Sequence, residues 1–354
     1  MKKNVVGQKY NLLIDCDTGV DDAYALLLAC RCDLFNLVGV TTVAGNVDVH
    51  KVTNNTCVVL DAANASKRLP VCKGFSTALL EAPHFCPEIH GTNGLGDIDT
   101  SEIGIETPSK RKLNSELHAV EFMIDQAKRH AQRFESAVSK LSESDADVED
   151  KMEALSAEHQ LTIVALAPMT NIAVALKHYP QLGNGVRQIV FMGGAARSGG
   201  NATPWAEANI LCDPEAARIV LNSGIDLIMY PWDVFEAFRF TRLTVQPFLD
   251  EQRSTAAKLA GQLMMSEMNR FEQDFAAMGD AGTLCVLLRP DACQMRRVHV
   301  DVELRGELTR GMTVVDWRER VYPPDLPAKR PNVTLVTQID NKRFCKLFKK
   351  YICK

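Results

Sequence analysis

Four aspartates stand close together near the N-terminus, in the stretch LLIDCDTGVDDAYALLLA that spans residues 12–29. They are Asp15, Asp17, Asp21 and Asp22, and apolar runs lie on both sides of them. Carboxylates repel one another and lose hydration when buried, so such a cluster at the edge of a core needs a neutralising partner. Helix capping could account for Asp21 and Asp22 but leaves the other two unexplained. The stretch therefore predicts a metal site with oxygen ligands, of the kind that binds Ca²⁺ or Mg²⁺.

Two other acidic motifs fit this stretch poorly. An EF-hand loop that began at Asp15 would need an oxygen ligand at its fifth position and glutamate at its twelfth, but Gly19 and Leu26 occupy them. A phosphatase of the haloacid-dehalogenase type would need a threonine where Gly19 stands and a second acid where Leu284 stands in GDAGTL. Both alternatives are therefore disfavoured.

The elements that must position these side chains follow from the pattern of apolar residues. Runs rich in β-branched residues alternate with segments of helical period, which predicts βαβ units. The fold class is therefore α/β, with a mostly parallel central sheet flanked by helices (Rossmann-like), in one globular domain over residues 1–354. The predicted strands are YNLLID, NLVGVTTV, LTIVAL, RQIVFMGG and IDLIMYP, and the predicted helices are Asp21–Arg31, Val49–Ala63, Leu117–Gln132, Asn171–His178 and Pro214–Ser223.

Three further parts of the chain depart from this alternation. VHVDVELRG, GMTVVDWRE and NVTLVTQID alternate apolar and polar residues, which predicts an added antiparallel region near the C-terminus. Residues 133–160 are acidic and rich in serine, and we interpret them as a surface insertion. The final segment KRFCKLFKKYICK predicts an amphipathic surface helix.

Composition narrows the class of protein. The chain has 354 residues, 46% of them hydrophobic, with a net charge of −4, so no positive field recruits nucleic acid or an anionic membrane. No apolar run reaches the roughly 18 residues of a membrane span. Eleven cysteines without a CxxC pair predict reduced thiols and a cytoplasmic location.

The stretch DCDTGVDDA resembles the D-x-D-P-G-x-D-D-A fingerprint of the nucleoside hydrolases, the inosine-uridine-preferring hydrolase family. Further motifs of that family follow in the same order over nearly the whole chain. They are VAGN (43–46), HGTNGLG (90–96), LAPMTNIAVAL (166–176), MGGAARSGGNATPWAEANILCDPEAA (192–217), GDAGTLCVLLRP (279–290) and GMTVVDWR (311–318).

The resemblance implies hydrolysis of the N-glycosidic bond of ribonucleosides, with a bound Ca²⁺ as cofactor. It implies metal ligands at the side chains of Asp17, Asp22 and Asp280 and at the backbone carbonyl of Leu166. Asp21 matches the general base of the family. A base is needed because Ca²⁺ acidifies bound water too weakly to generate hydroxide unaided. Asp15 matches an acid that supports the cluster from behind.

The same resemblance implies the remaining contacts with a small-molecule ribonucleoside. Ribose contacts match Asn46, Asn201, Glu207 and Asn209, each of which could alternatively be a turn or helix-surface residue. His90 matches the histidine of a loop that closes over the pocket. Trp205 is favoured as the residue that stacks on the base, while Phe275 could equally belong to the core. Family members are usually dimers or tetramers, so a homo-oligomer is expected.

Gly279 departs from the family pattern, since many members carry there a histidine that can protonate the leaving base. Protonation must then come from His90, from a residue of FEQDFAAM (271–278) or from solvent, unless stacking by Trp205 assists departure instead. A purine can leave protonated on N7, which a pyrimidine lacks, so we expect a preference for purine nucleosides. The alternatives are a pyrimidine-preferring or nonspecific hydrolase, and a non-catalytic protein that binds nucleosides or Ca²⁺.

Overall fold

Strands and helices alternate along the chain. The computed structural model describes residues 6–111, 113, 117–141, 148–251, 254–318 and 330–353. The strands are β1 (Tyr10–Cys16), β2 (Phe35–Thr42), β3 (Val71–Lys73), β4 (Leu161–Ala165), β5 (Val186–Met192), β6 (Asp226–Tyr230), β7 (Arg239–Thr241), β8 (Phe275–Ala277), β9 (Cys293–Val302), β10 (Thr313–Asp316) and β11 (Val333–Ile339).

The helices connect these strands on both sides. They are α1 (Val20–Arg31), α2 (Val49–Ala62), α3 (Pro87–His90), α4 (Ala119–Val138), α5 (Val148–His159), α6 (Thr170–His178), α7 (Ala208–Cys212), α8 (Pro214–Leu221), α9 (Trp232–Phe235), α10 (Arg242–Leu249), α11 (Thr255–Arg270), α12 (Ala281–Leu288) and α13 (Asn341–Ile352). Short 3₁₀ helices cover Thr100–Ile103, Pro180–Asn184 and Pro290–Ala292. None of the helices in the described part of the chain has the length and apolar character that a membrane crossing requires.

One large sheet organises the molecule, with the strand order β10-β9-β11-β6-β5-β4-β1-β2-β3. The pairs from β11 to β3 are parallel, whereas β9 runs antiparallel to both β11 and β10. The predicted α/β fold with an antiparallel C-terminal region is therefore confirmed. A small antiparallel pair, β7 with β8, stands apart from this sheet. The sequence did not predict it, because strands of three residues are too short to show alternation.

Two apolar cores lie on the two faces of the large sheet. Successive residues of β1 alternate between them: Leu12 and Ile14 belong to one core, and Leu13 belongs to the other. Helices α1, α11, α12 and α13 cover the first face, and α4, α6 and α8 cover the second. Burial on both faces explains why the central strands contain consecutive apolar residues, such as Leu12–Ile14, rather than a strict apolar–polar alternation.

The structure confirms the predicted C-terminal helix but does not test whether the acidic segment is an insertion. Helix α13 buries Phe344, Phe348 and Tyr351 and confirms the amphipathic C-terminal helix. Helix α4 continues to Val138, and α5 occupies most of the second half of the acidic segment 133–160. Residues 142–147 of that segment lie outside the described residues. Its interpretation as an insertion stays a prediction.

Candidate active site

The connection between β1 and α1 positions the N-terminal aspartates. Strand β1 ends at Cys16, between β2 and β4, and α1 begins at Val20. The carboxylate of Asp22 binds this turn, since its Oδ2 accepts from the N–H of Gly19 at 2.9 Å and its Oδ1 accepts from the N–H of Asp17 at 3.2 Å. Capping thus explains the backbone contacts of Asp22, while Asp17 and Asp21 keep carboxylate oxygens for another partner.

Three carboxylates from two distant parts of the chain converge at this turn. Asp21, Asp22 and Asp280 each offer an oxygen, and these oxygens all lie within 4.8 Å of one another. Asp280 stands at the N-cap of α12, which packs against α1. Oδ1 of Asp17, of Asp21 and of Asp280 is buried and has no hydrogen-bond partner among the described residues. A cation with oxygen ligands would satisfy these atoms, so the residues fit a Ca²⁺ or Mg²⁺ site.

Electrostatics supports the same interpretation. Burial, reinforced by the charge of Asp21, raises the pKa of Asp22 to about 8. Burial and the neighbouring carboxylates raise the pKa of Asp17 and of Asp280 well above its ordinary range. Carboxyl groups in such surroundings either hold a proton or share a cation, because uncompensated charges would repel one another in a medium of low polarity.

Asp15 and Asn46 hold the cluster from two sides. Asp15 is fully buried, and its Oδ1 accepts from Thr41 Oγ1 at 2.7 Å and from Asn171 Nδ2 at 2.9 Å. Burial raises the pKa of Asp15 to about 7, although both hydrogen bonds act against this shift. The N–H of Asn46 donates to Asp17 Oδ2 at 2.8 Å. Asn171 was not singled out from the sequence, although it lies in the LAPMTNIAVAL motif.

Leu166 and Asn209 meet at the carboxyl end of β4. The carbonyl of Leu166 accepts a hydrogen bond from Asn209 Nδ2 at 3.0 Å, and its N–H donates to the carbonyl of Asp15 at 2.8 Å. A carbonyl oxygen has two lone pairs, so one remains for a second partner. A metal contact through Leu166 stays a prediction.

Glu207 and Asn201 organise the loop before α7. Glu207 is buried, and its carboxylate accepts from the N–H of Gly194 at 2.7 Å and from the N–H of Asn209 at 2.9 Å. Burial raises the pKa of Glu207, although these bonds oppose the shift. Asn201 is exposed, and its Oδ1 accepts from the N–H of Ala208 at 2.9 Å. Both side chains therefore fix backbone here, and their contacts with ribose stay predictions.

His90 lies directly against the aspartate turn. It ends α3, and its Nδ1 accepts from the N–H of Val20 at 3.2 Å and lies 3.8 Å from Asp21 Oδ1. Gly19 permits this approach, because a Cβ there would lie 2.5 Å from His90 Nδ1. Burial lowers the pKa of His90 and favours the neutral ring, with its proton on Nε2.

An aromatic cavity of about 240 Å³ opens beside Asp21 and His90. Its walls include four aromatic side chains, Trp232, Phe235, Phe271 and Phe275. The rings of Trp232 and Phe235 are 4.7 Å apart. The remaining lining residues are Val20, Ile89, Glu236, Glu267, Gln273 and Ala277.

Only some of the residues that line this cavity were predicted from the sequence. Trp205 is not one of its lining residues and is 48% exposed on its loop, so a stacking role for it stays a prediction. Phe275, which could have been core, is a wall residue. Trp232 and Phe235 were not singled out, although their segment PWDVF follows the carboxyl end of β6, where sites of α/β sheets lie.

Comparison with known proteins identifies the class. The family model described as "Inosine-uridine preferring nucleoside hydrolase" matches residues 12–346. The inosine-uridine preferring nucleoside hydrolase of Leishmania major is 31% identical over 315 residues, which cover 88% of each chain. The chain therefore belongs to the inosine-uridine preferring nucleoside hydrolase family, whose members are hydrolases of ribonucleosides.

Solved structures agree with this assignment. A plant nucleoside hydrolase superposes with a TM-score of 0.81 at 25% identity and covers 97% of this chain and 99% of its own. The purine-preferring ribonucleoside hydrolase of Gardnerella vaginalis superposes with a TM-score of 0.79 at 28% identity and covers 97% and 98%.

Proposed function

We propose that this protein is a Ca²⁺-dependent ribonucleoside hydrolase that prefers purine nucleosides and releases ribose and free base in nucleoside salvage. The observation that carries the proposal is the convergence of Asp21, Asp22 and Asp280 beside the aromatic cavity, which Asp21 also lines. A ribose bound over the carboxylates would leave its base directed toward the aromatic walls.

The proposed metal ligands are Asp17, Asp22, Asp280 and the carbonyl of Leu166. The unpartnered buried oxygens of Asp17 and Asp280 support this set. When bound, Ca²⁺ would neutralise these carboxylates and hold the 2′- and 3′-hydroxyls of ribose. Asp15 would support the set through its contacts with Thr41 and Asn171.

The proposed general base is Asp21. Among the described residues it is the one carboxylate that both belongs to the converging group and lines the cavity, and its Oδ1 has no hydrogen-bond partner there. It would take the proton of a water molecule that attacks C1′ as the glycosidic bond breaks. Asp17 is the second candidate, because Asn46 fixes its Oδ2 while its Oδ1 stays unpartnered.

The proposed ribose contacts are Asn46, Asn201, Glu207 and Asn209, and His90 would close over the bound nucleoside. Asn46 and Asn209 have the strongest support, since their amides already contact Asp22 and Leu166. The positive charge that develops on the ribose ring would be stabilised by the surrounding carboxylates, as in related glycosidic cleavage.

The proposed purine preference rests on the aromatic walls and on Gly279. Stacking on aromatic rings favours the larger purine, and N7 offers a site of protonation that pyrimidines lack. The similarity to a purine-preferring enzyme supports this, whereas the inosine-uridine preferring relative marks the alternative of broader specificity.

Reducing-sugar release from inosine, guanosine, adenosine, uridine and cytidine tests the proposal, with Asp21→Asn as the control. Release from purines that the substitution abolishes would support it. Turnover of uridine without any turnover of purines would contradict the preference. Absence of release from every nucleoside, with Ca²⁺ bound, would favour a non-catalytic binding protein.

We also propose a cytoplasmic homo-oligomer, a dimer or a tetramer. The eleven cysteines are free thiols, which is usual in a reducing compartment. The oligomeric state rests on analogy with the family, and light scattering of the purified protein would measure it.

A further inference from the structure

Gly279 leaves the departing base without a proton donor at that position. Its φ is +32°, and a Cβ there would lie 2.3 Å from the ring of Phe235 and 3.1 Å from Asp21 Oδ2. The aromatic wall therefore already fills the space that a side chain at 279 would need. If the enzyme protonates the base, another residue of the cavity must do so.

Glu267 is positioned to donate this proton. It lies near the end of α11, is half-buried and lines the cavity together with Asp21 and Phe235. Its Oε1 accepts a hydrogen bond from the N–H of Ala277 at 2.8 Å. This bond orients the carboxyl group and leaves the other oxygen, Oε2, to carry a proton toward a ligand.

The other polar groups of the cavity are less suited to donate a proton. His90 uses Nδ1 as an acceptor for the N–H of Val20, and burial lowers its pKa, so the ring is neutral. The remaining N–H of a neutral imidazole is a poor acid. Glu236 is exposed at the rim, and Gln273 carries no acidic proton. Asp21 belongs to the converging carboxylates.

We infer that Glu267 is the general acid that protonates the leaving base, an inference that rests on the proposed function. The proton passes from Glu267 Oε2 to N7 of the purine as the bond from C1′ to N9 breaks and its electron pair moves to the base. Water adds to C1′ and gives its proton to the general base. Exchange with solvent then returns Glu267 to its protonated form and the carboxyl group of the general base to its ionised form.

The surroundings of Glu267 keep its carboxyl group protonated at neutral pH. Burial raises its pKa to about 8, with the charges of Asp21 and Glu236 contributing, although the Ala277 bond opposes the shift. Tyr24 faces it from α1 as a neutral phenol, because burial raises the pKa of Tyr24 far above neutrality. An acid with a pKa near the working pH is suited to proton transfer.

Positive side chains near α11 are directed elsewhere. Arg270 on the same helix binds Asp97 at 2.8 Å, and Arg242 of α10 binds Asn269 at 3.2 Å. Strand β8, which also packs on α11, has the sequence FAA and contributes no titratable side chain.

The test compares two substrates with different leaving groups. Inosine needs a protonated base, whereas the nitrophenolate of p-nitrophenyl β-D-ribofuranoside departs without a proton. We expect Glu267→Gln to lose about 10²–10⁴-fold in kcat on inosine and to stay within a few-fold of wild type on the nitrophenyl riboside. Glu135→Gln is the matched control, since Glu135 is an exposed glutamate on α4 and does not line the cavity, and it should retain both activities.

The pH profile gives a second readout. The wild-type rate on inosine should fall as the pH rises above about 8, because Glu267 then loses its proton. This fall should be missing for the nitrophenyl riboside.

Three outcomes would overturn the inference. Full inosine turnover by Glu267→Gln would mean that another group supplies the proton. An equal loss on both substrates would mean that Glu267 only supports the structure. A wild-type protein that cleaves neither substrate would refute the proposed function itself, which separates that failure from the other two.

Discussion

Phe235, a wall residue of the aromatic cavity, lies so close to Gly279 that no side chain fits between them. A Cβ on Gly279 would lie 2.3 Å from the ring of Phe235, well inside van der Waals contact. The glycine and the aromatic ring therefore require each other, and a histidine at 279 could be accommodated only if Phe235 moved away.

Gly279→His should destabilise the protein by about 1–3 kcal/mol, because the new side chain meets Phe235 and the backbone has a positive φ. The double variant with Phe235→Ala should recover part of this loss. Urea unfolding would measure both. Gly224→His is the control for backbone strain alone, since its φ is +78° and nothing lies within 4 Å of a Cβ there. Equal losses at the two glycines would exclude a role for Phe235.

Asp21→Asn should reduce kcat on inosine about 10²–10⁴-fold, as expected for loss of a general base. Its Ca²⁺ affinity should change less than that of Asp280→Asn, which removes a proposed ligand. Steady-state kinetics and calorimetric titration of Ca²⁺ would measure the two effects. If Asp21→Asn instead raised KM at unchanged kcat while Asp17→Asn abolished turnover, Asp17 would be the base and Asp21 would bind ribose.

Ca²⁺ should raise the melting temperature, and this effect should grow with pH. The raised pKa of Asp17, Asp22 and Asp280 means that the metal-free protein keeps protons there while the unfolded chain has already lost them. The contribution of these groups to the stability of the metal-free protein is therefore fully present below about pH 4 and is lost as the pH rises toward about 8, the pKa of Asp22. Ca²⁺ replaces those protons, so it should stabilise little at pH 5.

Thermal melts at pH 5, 7 and 8.5, with either chelator or excess Ca²⁺, would measure this effect. A Ca²⁺ concentration of about 100 times Kd should add about 2.7 kcal/mol where the site is available. Stabilisation that is equal at every pH would place the ion outside the carboxylate cluster.

Trp232→Ala should raise KM for inosine about 5- to 150-fold, which corresponds to the roughly 1–3 kcal/mol of a base stacked on an aromatic ring. Trp232 lines the cavity, while Trp205 does not and is 48% exposed. Trp205→Ala is therefore the informative comparison, measured by the same kinetics. A large effect only at Trp205 would place the base on the other side of the carboxylates.

The sequence predicted the sheet and the carboxylate cluster because both leave local patterns. The buried strands β1, β4 and β5 each contain a run of three or four apolar residues, and Asp17, Asp21 and Asp22 are a few positions apart. Asp280 was assigned only through resemblance to a family, since nothing local connects it to residues more than 250 positions away. The structure brings it to the same point through the packing of α12 on α1.

The cavity could not be predicted from local patterns. Its wall residues come from α1, α3, α9, α11 and β8, and an aromatic residue in any one of these segments is consistent with an ordinary core. Glu267 lies in a helix without a recognisable motif, and its pKa is raised mainly by burial, with the charges of Asp21 and Glu236 from other segments contributing. Likewise, the backbone N–H groups that Glu207 binds depend on the conformation of its loop, so these contacts could not be predicted from the sequence.

The two halves of the candidate site belong to different layers of the fold. The carboxylates stand at strand ends and helix starts that both apolar cores hold in place, whereas three of the aromatic walls, Trp232, Phe235 and Phe275, come from the short elements α9 and β8 outside the large sheet. Substitutions at Trp232 or Phe275 can alter which base is accepted without removing a carboxylate of the centre that cleaves the bond. Substrate range in this architecture can therefore diverge quickly while the reaction itself is retained.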